Sequence, residues 1–429
     1  MPDERKFTIV IPTRDRSDTL IHTIASALAQ DYENYEVLVS DNASNDNTRE
    51  VVDGLNSARI RYINTGKRLS MSHNWEFALN HVQDGWVTVL GDDDAILPGA
   101  LKRVNEIINE TGTLAVRSNG CGYSWPSLIG EKYGNLSLSL AKGYRRVNSS
   151  AALSSVMTGH LPYNKLPVLY NGGFIQTSLI SRAKSVTGNF FLSMTPDVYS
   201  AMVFSLLTDE YIYSNEALAI NGASHHSGGT AGFETAKRKR AYDPAEKFWS
   251  EENIPFHKDL PLADTGWPVR SIHAFVYEAY LQAASFHSEK DNVVVSPRQQ
   301  LAIIMKEAHP RHTEEVRNWG LSFAAQHKID CDDISHRGNH GINWLMSNIF
   351  DAARSLGRLC SGLTFYGDRH IPLNNVYEAS IVAGTIKSIK PGYIYRFINA
   401  CSRLKRRIQL KSSVTPLKEF NGGDDAKQS

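Results

Sequence analysis

The chain has 429 residues, and its 46 Lys and Arg against 45 Asp and Glu leave a formal charge of +1, without the basic excess of a global nucleic-acid binder. With 41% hydrophobic and 21% charged residues it is not a disordered chain. At roughly 100–200 residues per domain the length implies two or three domains.

Cys121, Cys331, Cys360 and Cys401 are scattered, with no C-x-x-C pair, so neither a zinc cluster nor a disulfide framework is indicated. The opening MPDERKFTIVIPTRD lacks a secretory pattern. No run of about 18 apolar residues is present to span a membrane. A reducing, cytoplasmic setting is the expectation.

Phe7 to Pro12 is a β-branched run that predicts a strand, closed by the polar Thr13-Arg14-Asp15-Arg16. A helix follows, with Leu20, Ile24, Ala27 and Leu28 on one face and Asp18 as its expected N-cap. Tyr35–Ser40 predicts a second strand, running into the turn formers Asp41-Asn42-Ala43-Ser44-Asn45-Asp46. Ile60–Ile63 is a third strand, and Met71, Trp75, Ala78, Leu79 and Val82 mark a helix face. Trp86–Leu90 is a fourth strand, ending at Gly91-Asp92-Asp93-Asp94. Pro98 suits the first turn of a helix whose apolar face is Leu101, Val104, Ile107 and Ile108.

This alternation predicts an α/β fold with a mainly parallel central sheet. Ligands in such sheets collect beyond the carboxyl ends of the strands. The ends at Thr13–Arg16, Asp41–Asp46 and Asp92–Asp94 should therefore converge on one crevice. Three adjacent carboxylates repel, and a divalent cation such as Mg²⁺ or Mn²⁺ relieves that cost; an acidic turn capping the next helix is the plainer alternative. Asp41 is either an Asx-turn residue or a carboxylate facing a nucleobase or ribose. No G-x-G-x-x-G or P-loop pattern occurs here, so a bound diphosphate needs a metal.

Thr8–Arg16, Ser26, Gln30 and Glu36–Asp46 resemble the opening of family 2 glycosyltransferases with the GT-A fold, and Gly91–Leu101 is similar to that family's metal-binding "DxD" segment. The match covers about residues 5–110 and fades by about residue 235. The resemblance implies transfer of a sugar from a nucleotide-sugar, most often a UDP-sugar, to a glycan or lipid-linked acceptor, with Mn²⁺ or Mg²⁺ as cofactor. It implies a nucleotide-sugar site at Pro12, Thr13, Arg14, Arg16, Asp41, Asn74, Asp92 and Asp93, and metal ligation by Asp92 and Asp94. Arg14 stands where an aromatic is common, Gly91 where many members carry an Asp, and Asn42 where a second Asp is frequent.

Inverting transfer needs a base beside the acceptor hydroxyl and a cation beside the leaving diphosphate. The family places an Asp or Glu about 100 residues after the metal motif, where Asp197 stands before the apolar Val198, Met202 and Leu206; an N-cap role is the alternative. Asn171-Gly172-Gly173-Phe174 is either a tight turn or a backbone open to a sugar. His225-His226, before Ser227-Gly228-Gly229, offers His225 or His226 as a further metal ligand or diphosphate contact, or is polar surface.

The transferase domain is expected over 1–235, closed by the basic Lys237–Arg240. A mainly helical segment 236–415 follows, with helical spacing at Val269–Phe286, Leu301–Ala308, Trp319–Ala325 and Ile342–Leu356, and then a disordered tail 416–429. Between Lys387 and Lys411 stand eight Lys or Arg and no acid. Such a stretch either contacts an anionic membrane surface peripherally or packs with its basic face solvated. The combined reading is a metal-dependent, inverting glycosyltransferase of surface-glycan assembly. Two alternatives are a sugar-phosphate nucleotidyltransferase and a non-catalytic nucleotide-sugar or glycan-binding module.

Overall fold

A computed structural model describes residues 4–227, 251–288, 293, 295–308, 312–330 and 362–388. The first strands follow the sequence pattern closely: β1 (Phe7–Thr13), α1 (Ser17–Leu28), β2 (Tyr35–Asp41), α2 (Thr48–Gly54), β3 (Ile60–Asn64), α3 (Met71–Leu79) and β4 (Trp86–Val89). β1 lies between β2 and β4, parallel to both, and β2 pairs in parallel with β3. Phe7, Ile9 and Ile11 meet α1 and the helix after β4 on one face, and Val10 meets α3 on the other. A strand covered on both faces needs a continuous apolar run, and FTIVIP supplies it.

Beyond β4 the chain forms β5 (Ala95–Ile96), α4 (Ala100–Thr111), β6 (Ala115–Asn119), β7 (Gly122–Ser124), α5 (Pro126–Ile129), β8 (Asn135–Ser139), β9 (Tyr144–Asn148) and α6 (Ser149–Met157). It continues through β10 (Gly173–Gln176), α7 (Thr177–Thr187), α8 (Pro196–Leu207), β11 (Glu210–Ala217) and β12 (Ala219–Ala223). The main sheet runs β3-β2-β1-β4-β10-β6-β11-β9. It is mixed, because β10 enters antiparallel between β4 and β6, and β9 pairs antiparallel with β11. A second sheet has the order β13-β8-β7-β12-β5, where β13 is Gly362–Tyr366.

Two helix starts differ from expectation. α1 begins at Ser17, and Asp18 lies in its first turn instead of capping it; Asp46 reaches across to accept from the Ser17 amide at 2.9 Å. α4 begins at Ala100 with left-handed Gly99 as N-cap, so Pro98 precedes the helix. Its face of Leu101, Val104, Ile107 and Ile108 is buried as expected, each side chain stabilising by roughly 1.5–3 kcal/mol.

The later helices Ile272–Gln282, Pro297–Lys306 and Thr313–Gln326 form a C-terminal helical region. Val276, Tyr280, Trp319 and Phe323 join the same core cluster as Leu153 and Tyr199. The helix Val376–Ser388 buries Val376, Ala379 and Ala383 beside Leu97, Leu136 and Ile220. The expected helix Ile342–Leu356, the basic Lys237–Arg240, the stretch 389–411 and the tail 416–429 lie outside the described residues.

Candidate functional site

Register places the polar strand ends side by side. Thr13 is level with Asp41, and Asp41 with Asn64, at the carboxyl edge. The Leu90 amide donates to Val10, so the turn Gly91–Asp94 emerges beside Thr13. Thr13 Oγ1 donates to Asp92 Oδ2 at 2.9 Å, and Arg16 Nη1 donates to Asp92 Oδ1 at 2.8 Å. Burial alone would lower the Arg16 pKa, but Asp92 and Asp93 outweigh it and hold the guanidinium charged.

Asp41 is buried with both oxygens engaged. Oδ1 accepts from the Ser44 amide and hydroxyl at 3.0 and 2.6 Å; Oδ2 accepts from Tyr62 Oη at 2.5 Å and Asn64 Nδ2 at 2.9 Å. Asp41 therefore closes its own turn through the amide three residues on, and Ala43 takes a left-handed φ of 52° in it. Pro12 lies level with Ser40 and is half-buried. Arg14 pairs with Glu251 at 2.5 Å. Asn74 sits inside α3, buried, with Oδ1 accepting from Ser40 Oγ at 2.8 Å. Its place is behind β2, as a brace.

β5 and β12 pair antiparallel, which brings the chain after Ala219 onto the acidic turn. Asp93 Oδ2 accepts from the Ser224 amide at 3.3 Å, the Ser224 hydroxyl at 2.6 Å and the Ser227 hydroxyl at 2.6 Å. Oδ1 of Asp93 receives no hydrogen bond from a described residue. Asp94 is fully buried: Oδ1 accepts from the Gly222 amide at 2.7 Å and Oδ2 from the Gly91 amide at 3.0 Å. The Tyr170 hydroxyl lies beside this carboxylate, next to Gly91. Burial first, and Asp93 second, push the Asp94 pKa well above the usual carboxylate range. Asp94, expected as a metal ligand, ties its own turn to β12 through these bonds.

Gly91 leaves room for two side chains in this packing. A Cβ there would stand 2.7 Å from Asp94 Oδ2 and 2.8 Å from the Tyr170 hydroxyl, so the Asp common at this position in the resembling family would require these side chains to shift.

Because β10 runs antiparallel to β4, its leading loop also arrives at the carboxyl edge. The Asn171 amide donates to Val89 at 2.8 Å. Gly173 is obligatory, since a Cβ would lie 1.6 Å from the Val168 carbonyl; this is the tight-turn reading. Across the loop, Asp197 stands in the first turn of α8 with Thr195 as N-cap. Asp197 Oδ2 accepts from Tyr163 Oη at 2.7 Å. Burial raises its pKa, opposed by Tyr163 and the helix-head amides.

His225 does not join the acidic turn in a common ligand set. Among the described residues, Asp18, His225 and His226 offer ligand atoms within 4.8 Å of one another. His226 Nε2 lies 3.1 Å from Asp18 Oδ1, and the two imidazoles are tilted by 39° with centroids 3.7 Å apart. The His226 carbonyl accepts from Arg16 Nη2 at 2.8 Å.

Sequence reasoning missed Ser224, Ser227, Tyr163, Tyr170 and Arg117. The two serines flank a His pair that was singled out. The other three carry no local signal, because they reach the site only through the antiparallel entry of β10.

Residues 8–147 match the family model described as glycosyl transferase family 2. Among curated proteins, a Campylobacter jejuni GalNAc(5)-diNAcBac-PP-undecaprenol beta-1,3-glucosyltransferase is 33% identical over 135 residues, 31% of this chain and 41% of its own. The Rhizobium meliloti succinoglycan biosynthesis protein ExoO is 30% identical over 105 residues, 24% of this chain and 30% of its own. The match thus spans less than half the length of either relative. Among solved structures, S. aureus TarS 1-349 in complex with UDP-GlcNAc overlaps at 14% identity and a TM-score of 0.44, over 76% of this chain and 93% of that one.

Proposed function

We propose, for a chain whose residues 8–147 match the glycosyl transferase family 2 model, that it moves a sugar from a nucleotide-sugar to an acceptor hydroxyl with inversion and with a divalent cation. The observation that carries this reading is the convergence of Thr13, Arg16, Asp41 and Asp92–Asp94 on one sheet edge, with Asp197 across the loop that precedes β10.

The donor set suits a hard cation. Asp92 and Asp93 offer carboxylate oxygens, Oδ1 of Asp93 is not claimed by a described donor, and Mg²⁺ or Mn²⁺ favours such ligands together with substrate phosphates. When bound, the cation would neutralise charge developing on the leaving diphosphate. Arg16 adds a fixed positive charge beside Asp92 for the same diphosphate. Pro12, Thr13, Arg14 and the turn at Asp41 line the side on which the base and ribose would rest, with a UDP-sugar as the favoured donor. Asp197, half-buried and oriented by Tyr163, would accept the proton of the attacking hydroxyl. Its raised pKa makes it a stronger base than a solvated carboxylate once ionised.

For the acceptor we propose a glycan or lipid-linked glycan of surface-polysaccharide assembly. The Campylobacter relative is named for an undecaprenyl-diphosphate-linked acceptor, which supports that class. Among the described residues no helix is long and apolar enough to cross a membrane. Peripheral contact through 387–411, at the inner face of the plasma membrane, would then bring the crevice to a lipid-linked acceptor.

Thermal denaturation against a panel of nucleotide-sugars, with and without Mn²⁺, tests the donor reading, because a ligand that binds the native state raises apparent stability. A rise of several degrees with one nucleotide-sugar and Mn²⁺ together is expected. No rise across the panel would refute it.

A further inference from the structure

Arg117 projects from β6 and is 8% exposed, yet none of its hydrogen bonds among the described residues goes to a carboxylate. Nε donates to the Asn164 carbonyl at 2.7 Å, and Nη1 donates to the carbonyls of Tyr170 at 3.0 Å and Asn171 at 2.8 Å. One guanidinium thus holds both ends of the segment 163–171. Burying a cation in this way is costly, and apolar packing alone would not require it.

What the segment carries is two phenols aimed at two carboxylates. Tyr163, in the 3-10 turn Tyr163–Lys165, donates to Asp197 Oδ2 at 2.7 Å. Tyr170, seven positions on, places its hydroxyl beside Asp94 in the space left by Gly91. The segment is fixed to its surroundings as well. The Leu169 amide donates to Ser200 Oγ of α8 at 3.0 Å, the Asn171 amide donates to Val89 at the end of β4, and Lys165 Nζ donates to Tyr213 Oη at 2.6 Å. The candidate base and the acidic turn are therefore spaced by one short piece of chain.

We infer that Arg117 and the segment 163–171 form a positioning clamp, in which Tyr163 orients the carboxylate of Asp197 and Tyr170 that of Asp94. The catalytic meaning of the clamp rests on the reading of Asp197 as the base. Tyr163 occupies part of the accepting capacity of Asp197 and leaves lone pairs for an incoming hydroxyl. Holding a base within a fraction of an ångström of its working position is the kind of constraint on which turnover depends steeply.

The groups facing Asp197 are Tyr163 from the 3-10 turn, Arg117 from β6, Tyr170 from the far end of the segment, and the Asp197 and Val198 amides at the head of α8. Burial raises the Asp197 pKa, and the Tyr163 bond is the largest influence pulling it back.

The test uses the full chain with ¹³C-carboxyl-labelled Asp, the Asp197 signal being assigned with Asp197→Asn. In Tyr163→Phe the Asp197 midpoint should rise by about one unit, with the melting temperature within about 2–4 °C of wild type. The acid limb of the turnover profile should move the same way, and kcat should fall on the order of tenfold with donor affinity unchanged. Arg117→Lys should move the midpoint too, since a lysine cannot serve three carbonyls in one plane; if that variant fails to fold, Tyr163→Phe decides alone. An unchanged midpoint in Tyr163→Phe overturns the clamp. Absence of any nucleotide-sugar turnover by wild type would instead count against the transferase reading, and the carboxyl titration would still report on the clamp.

Discussion

Ser224 donates its hydroxyl to Oδ2 of Asp93 at 2.6 Å, joining residues 131 positions apart. The bond closes the acidic turn from the second sheet, where the β5–β12 pairing puts Ser224 in reach. Ser224→Ala should cost ~1.5–3 kcal/mol, the usual range for a buried bond to a carboxylate, and urea unfolding reads it directly. The same variant should weaken Mn²⁺ binding, because Asp93 would lose its orientation. Unchanged stability would mean that Ser227 alone holds the carboxylate.

Gly222 and Gly54 form a matched pair of substitutions. A Cβ at Gly222 would fall 1.7 Å from the Asp93 carbonyl oxygen, which is backbone and cannot swing aside. Gly222→Ala should therefore destabilise by about 3 kcal/mol, at the upper end of overpacking costs, and should disturb cation binding. Gly54 has nothing within 4 Å of its would-be Cβ. Gly54→Ala should gain up to about 1 kcal/mol by restricting the unfolded chain. Equal melting temperatures for the two variants would contradict the packing described for the acidic turn.

Glu278, fully buried in the helix Ile272–Gln282, has Oε2 accepting from Ser193 at 2.5 Å and Oε1 from Gln282 at 2.9 Å. Burial pushes its pKa up to about 7, from an ordinary 4.5. A carboxyl whose native pKa is raised binds protons more tightly when folded. Its contribution is thus full below about pH 4.5 and is lost as pH rises through about 7. The loss amounts to about 3 kcal/mol. Urea unfolding at pH 5 and pH 8 should show that loss in wild type and little of it in Glu278→Gln. The same slope in both would place the titrating group elsewhere.

Much of the fold around β1–β4 was legible because its signals are local. FTIVIP, YEVLV and WVTV are apolar runs bounded by turn formers, and parallel order follows from the helices between them. The same locality made Thr13, Asp41 and Asp92–Asp94 readable as neighbours. Where partners come from distant chain, the reading failed. Asp18 looked like a cap because Asp46, which accepts from the Ser17 amide, is 28 positions away. The bond from the Gly222 amide to Asp94 was likewise illegible, because it is set by pairing of β5 with β12. Asn74 follows a loop in the sequence, yet Ser40 draws it behind the sheet. No periodicity announces Arg117, whose three acceptors are main-chain carbonyls of a loop.

Two carboxylates should separate binding from turnover. Asp197→Ala should remove transfer while sparing nucleotide-sugar binding, since Asp197 lies across the loop from the acidic turn. Asp94→Ala should lose both, because the Gly91 and Gly222 amides would be left without their acceptor and the turn would relax. Calorimetric binding beside single-turnover transfer checks both. Wild-type transfer by Asp197→Ala would end its assignment as the base.

The central claim is that the acidic turn, through Asp93, holds a divalent cation and with it a nucleotide-sugar. Calorimetric titration of the nucleotide-sugar found by thermal screening, with Mn²⁺ and then with EDTA, into wild type and Asp93→Asn tests it most directly. The account predicts binding by wild type with Mn²⁺, and a loss on the order of tenfold or more either in EDTA or in a folded Asp93→Asn. Equal affinity under all three conditions would contradict it.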